Sequence, residues 1–196
     1  MTMMRWCSWK GLVLAVLMAA GGQVRANEPS SVYLRCNMTP EDYAKAMAAT
    51  PRPALAYGDW QQWFNSKQMY GPGLVDAESL RDSGARSLQE TVEIWMGPGA
   101  YSRYDPKAGR WQLALLEFTD NYGEMIQLLA PLRGVAAFCQ PDSDSFLFIY
   151  SYIWGDGDNA YLALDQGRSR FATGPTPAQR AEADAALEGL MEAGAD

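Results

Sequence analysis

Histidine is absent from all 196 residues. That absence removes the Ser-His-Asp triad, the Cys-His pair and any histidine general base. It also excludes zinc or copper held through imidazole. Cysteine is scarce: only Cys7, Cys36 and Cys139 occur, with no C-x-x-C redox pair. Neither common Gly-rich phosphate loop is present. No apolar run approaches the roughly twenty residues that span a bilayer. Positive charge is short as well, with 16 Lys and Arg against 23 Asp and Glu and a net charge of −7. Nucleic acid and anionic membrane surfaces both require a basic patch, so this balance argues against either as the main partner. The sequence gives no reason to expect a cofactor or a metal.

What is present is a globular composition, 48% hydrophobic and 20% charged. The N-terminus has the three parts of a secretory signal. Arg5 and Lys10 form a basic region, and an apolar run from Gly11 to Ala20 follows. Val24-Arg25-Ala26 then places suitable residues for cleavage after Ala26. The expected organisation is a removable signal over 1–26 and a single domain over 27–196. Removing Arg5, Lys10 and Arg25 leaves 13 basic against 23 acidic groups, an excess of 10 negative charges. Cys36 and Cys139 remain, and an even count in an exported chain suggests a disulfide. It would close a loop of roughly 100 residues, worth about 4–5 kcal/mol on the chain-entropy model. Two separate buried thiols are the alternative. The expected location is the periplasm or the outside of the cell.

Local patterns give a mixed reading. Val32 to Cys36 is β-prone. Thr39 can cap a helix that starts at Pro40 and ends before Pro51. Asp59 can cap a second helix, on which Trp60, Trp63 and Phe64 share one face. Asp76 to Asp82 reads as a short helix, and Leu88 to Met96 as helix turning to strand. Tyr101 to Tyr104 and Trp111 to Thr119 form a hairpin. Asn121 with Glu124 has capping-box spacing and opens a helix expected to end before Pro131. Val135 to Cys139 and Phe146 to Trp154 read as strands, the second returning through Ala160 to Leu164. Thr176 with Gln179 is another capping box before a C-terminal helix. Short turns join the late strands and no regular βαβ alternation occurs. The fold class is therefore α+β, a single domain with a central antiparallel sheet flanked by several short helices.

Two features attract a functional reading. The segment Tyr57 to Tyr70 is dense in aromatics. Tyr57, Trp60, Trp63 and Tyr70, interleaved with Gln61, Gln62 and Asn65, suit a surface that stacks on sugars or anchors a protein. Trp60, Trp63 and Phe64 at helical spacing suit a core beneath the sheet equally. Glu117, Asp120 and Glu124 gather near a strand-to-helix junction. Burial of Glu117 on the face of Trp111, Leu113 and Leu115 would raise its pKa, as a carboxylate-dependent hydrolase of cell-wall glycan requires. The acidic turns at Asp142 to Asp144 and Asp156 to Asn159 lie at opposite ends of one strand and cannot share a calcium ion.

The function expected is that of an exported binding protein with a protein partner, such as an inhibitor or immunity-type neutraliser of a toxin or hydrolase. The absence of the usual catalytic groups supports it, and the negative excess would speed association with a basic partner. Alternatives are the glycan hydrolase and a small-ligand or envelope-assembly module.

Overall fold

The computed structural model describes residues 29–67, 75–78, 80–141, 143–155, 157–165 and 167–194. The expected signal over 1–26 lies outside them, as do Tyr70, Asp142 and Asp156.

Six strands build one antiparallel sheet: β1 (Ser30–Asn37), β2 (Ala100–Asp105), β3 (Arg110–Thr119), β4 (Phe146–Tyr150), β5 (Asp158–Asp165) and β6 (Arg168–Phe171). Their spatial order is β2-β3-β1-β4-β5-β6. β1 is central, pairing Leu34 with Leu113 of β3 and with Leu147 of β4. Its side chains alternate between two covered faces, so Val32, Tyr33 and Leu34 are all fully buried.

Five helices cover those faces. On one side lie α1 (Pro40–Ala48), α2 (Trp60–Asn65), α3 (Leu88–Ile94) and α4 (Tyr122–Gly134). Met47, Trp60, Trp63, Leu88, Val92, Met125 and Leu129 from these helices pack on Val32, Leu34, Leu113 and Leu162 of the sheet. On the other side lies α5 (Pro177–Ala193) alone. Its Ala183 and Leu187 pack against Tyr33, Phe146, Phe148 and Tyr150. The result is helices, sheet, helix, in three layers, and the α+β class holds. Burying each large apolar side chain is worth about 1.5–3 kcal/mol, so the four-helix face carries most of the apolar stabilisation.

The helix starts follow local chemistry. Thr39 accepts from the Asp42 N–H, with Pro40 at the first helical position. Ser87 accepts from the Glu90 N–H. Thr176 and Gln179 make a complete capping box. Asn121 Oδ1 caps α4 through the Gly123 and Glu124 N–H groups. Glu124 does not reach back to its cap; its carboxylate accepts from the Thr119 hydroxyl at 2.5 Å.

Several expectations are corrected. Among the described residues of Asp76 to Asp82, Ala77, Glu78 and Leu80 lie in turns and none in a helix, and the Asp82 carboxylate accepts from the Ala54 N–H of a neighbouring loop. Leu88 to Met96 does not turn to strand. Its helix buries Leu88, Thr91 and Val92, spaced three and four apart, and the strand waits until Ala100. α4 runs through Pro131; the missing N–H costs one hydrogen bond, outweighed by burial of Leu128, Leu129 and Leu132. Val135–Ala137 is a 3-10 turn continuing that helix, since its burial comes from packing on the helical layer and not from strand pairing. β4 stops at Tyr150, and Tyr152 and Trp154 lie in the turn beyond it.

Cys36 of β1 and Cys139, just after the 3-10 turn, form a disulfide with Cα atoms 5.5 Å apart. It ties the central strand to the end of α4. Among the described residues no helix is long and apolar enough to cross a membrane.

Candidate functional site

The aromatic segment is organised by a residue far away in sequence. Asp59 makes no capping bond to α2. Its two carboxylate oxygens accept from Arg133 of α4, Nη1 to Oδ1 at 2.7 Å and Nη2 to Oδ2 at 2.8 Å. Arg133 is 4% exposed. Its guanidinium carbon lies 4.1 Å from the Tyr57 ring centroid, 4.8 Å from that of Trp60 and 5.0 Å from that of Phe171. Arg133 Nε donates to the Ser169 hydroxyl at 2.9 Å. A planar cation with a fork of donors is suited to such a box of rings and carboxylate.

Trp60 and Trp63 are buried, at 3% and 4% exposure. Trp60 Nε1 donates to the Ala54 carbonyl at 2.7 Å, and Trp63 Nε1 to the Asn159 carbonyl at 2.9 Å. Trp63 stacks on Phe171 with centroids 5.3 Å apart and planes 5° from parallel. Tyr57 is half-buried, and its hydroxyl has no hydrogen-bond partner among the described residues. Burial pushes that hydroxyl's pKa up. Of the four residues expected to form a binding surface, the structure thus brings Tyr57 and Trp60 to Arg133 and Trp63 against Trp60, with the two indoles in the core.

Beside α2 a groove of about 610 Å³ opens between that helix and the β5–β6 edge. Trp63 and Phe171 form part of its wall, with Gln62, Ser66, Lys67, Arg170 and Thr173. Lys67 Nζ donates to the Asp158 carbonyl at 2.8 Å. Burial lowers its pKa, with the Asp158 carboxylate acting in the opposite direction.

The α5 face has a different character. Inward polar groups of α5 key it to the sheet: Tyr33 donates to Glu182 at 2.7 Å, Tyr150 to Asp184 at 2.7 Å, and Tyr161 to Gln179 at 2.9 Å. Arg35 bridges Glu182 and Asp144. Outside this keyed strip, Glu188 and Glu192 are exposed. Tyr152 and Leu190 each pack against the α5 core. Its hydroxyl pKa is pushed up by burial and then by the carboxylates of Glu188, Asp184 and Glu192, so its charged neighbours are acids of α5. Trp154, two residues on, is 51% exposed, and Met191 of α5 is 46% exposed. Sequence reading missed this surface because it took Phe146 to Trp154 as one paired strand.

Glu117 is exposed rather than part of the core face. Glu124 is held by Thr119, at the start of α4. Among the described residues no three His, Cys, Asp or Glu side chains are grouped to hold a metal ion.

No family model, curated protein or solved structure matches this chain.

Proposed function

We propose that the mature chain is an exported binding protein that docks a basic protein partner on the outer surface of α5, as an inhibitor or immunity-type neutraliser does. The observation that carries this reading is the exposed Trp154 two residues after Tyr152, whose hydroxyl feels the carboxylates of Glu188, Asp184 and Glu192. Trp and Tyr surrounded by charge are the usual composition of an interface hot spot and its rim. The charge complementarity extends to the whole chain, whose negative excess steers a basic protein at long range. The signal-like N-terminus and the disulfide support an exported chain. The glycan-hydrolase reading required a buried Glu117 and loses its support with that residue exposed.

The test uses the oxidised mature chain immobilised over envelope and secreted fractions of its organism, beside a Trp154→Ala/Glu188→Lys/Glu192→Lys variant of equal melting temperature. A stoichiometric basic protein held by the first and released by the second supports the reading. Retention of the same protein by both, or no protein at all, counts against it.

A further inference from the structure

We propose that the groove between α2 and the β5–β6 edge is a binding site for a small ligand bearing an oxyanion, carboxylate or phosphate, held between Lys67 and Arg170. The groove is separate from the α5 surface and has its own charge. In a chain where acids outnumber bases 23 to 16, the charges in this wall are inverted. Among the described residues its one acid, Asp59, is already neutralised through both oxygens by Arg133. The Asp158 carboxylate, whose charge also acts on Lys67, is paired with Arg180 at 2.6 Å. Asp158 therefore serves Lys67 only while shared with Arg180, and Arg170 has no salt-bridge partner among the described residues.

Lys67 carries the argument furthest. An ammonium has three donors. Among the described residues Lys67 uses one, toward the Asp158 carbonyl, and forms no ion pair. Holding a cation partly out of water with only a counter-ion that is shared with Arg180 is unfavourable. A ligand oxyanion supplies the missing charge and accepts the remaining donors. Arg170, exposed and without a salt-bridge partner among the described residues, adds a planar fork suited to carboxylate or phosphate. The Trp63 and Phe171 rings offer an apolar wall for the ligand's body, and the groove's volume of about 610 Å³ suits a small molecule.

The chain after residue 26 has only three lysines, Lys45, Lys67 and Lys107, so their side chains can be followed individually. The experiment is a pH titration by NMR of the mature chain carrying carbon-13 lysine. It is run in chloride, in inorganic phosphate and in succinate at matched ionic strength. Loss of one signal in Lys67→Met assigns it, and Lys67→Arg confirms the assignment if the first variant folds poorly. The expected result is a saturable upward shift of the Lys67 midpoint in phosphate, succinate or both, with Lys45 and Lys107 unmoved. Arg170→Gln should weaken the saturating affinity roughly tenfold, as loss of one charged hydrogen bond implies, at unchanged melting temperature. A response to phosphate alone makes the ligand a phosphate compound, and one to succinate alone a carboxylate. No saturable shift in either, or equal shifts at all three lysines, overturns the proposal.

Discussion

Arg133 and Asp59, 74 residues apart in sequence, meet in a two-pronged ion pair that pins α4 to the start of α2. The cation is buried while Asp59 is about a third exposed, at 34%. Water therefore reaches one side of the pair. Asp59→Asn should cost about 2–3 kcal/mol, below the 3–5 kcal/mol seen when a fully buried pair loses a member, because Arg133 keeps its rings and Ser169. Denaturant unfolding would measure it. A loss under half a kcal/mol would show that the rings alone hold the guanidinium.

The indoles of Trp60 and Trp63 each fill a closed site and each satisfy their N–H. Replacing either by Ala should cost about 3–5 kcal/mol, as Trp deletions in cores do. Thermal or denaturant unfolding of both variants decides between core and recognition roles. Unchanged stability in Trp63→Ala would mean that the ring is not part of the core.

Breaking the Cys36–Cys139 bond frees the unfolded chain across a long loop. A double Cys→Ala variant should lose about 2–5 kcal/mol. The same loss should follow reduction of the wild-type protein, so unfolding with and without reductant is a direct comparison. Equal midpoints under both conditions would contradict the structural role.

Alkali should destabilise the fold through its tyrosines. Burial and the Glu182 and Asp184 carboxylates push the pKa values of Tyr33 and Tyr150 far above the ordinary 10.0. Both folded values are raised, so the protonated form is the one the fold favours. The associated stability is full below pH 10 and declines as the unfolded tyrosines begin to ionise above it. Phenolate absorbance and circular dichroism should therefore change together above pH 10. Ionisation of all ten tyrosines near pH 10 with the fold intact would contradict the keyed α5 contacts.

Elements with local causes were legible in the chain. Thr39, Ser87 and Thr176 announce their helices because a cap involves residues three apart. The Tyr101–Thr119 hairpin and the return of β4 into β5 are legible for the same reason. β6 was missed: its Arg168-Ser169-Arg170-Phe171 run is only four residues, and its pairing with β5 is what makes it a strand. The run after Pro131 looked like a strand because buried apolar residues carry no period of their own once both neighbours are buried. The Arg133 box could not be foreseen, since its parts come from positions 57–60, 133 and 169–171. Both candidate sites have this non-local character. Lys67 faces a groove completed by β6, and Tyr152 gains its acidic neighbours from α5, over thirty positions away.

The central claim is that a basic protein docks on the α5 surface. A photo-crosslinking amino acid in place of Trp154, in cells that make the full chain, tests it most directly. The control places the same group at Leu55, which is 76% exposed and lies in the four-helix layer. The account predicts one crosslinked partner of high isoelectric point from position 154, absent from position 55 and abolished by Glu188→Lys/Glu192→Lys. Equal crosslinking from both positions, an acidic partner, or insensitivity to charge reversal would contradict it.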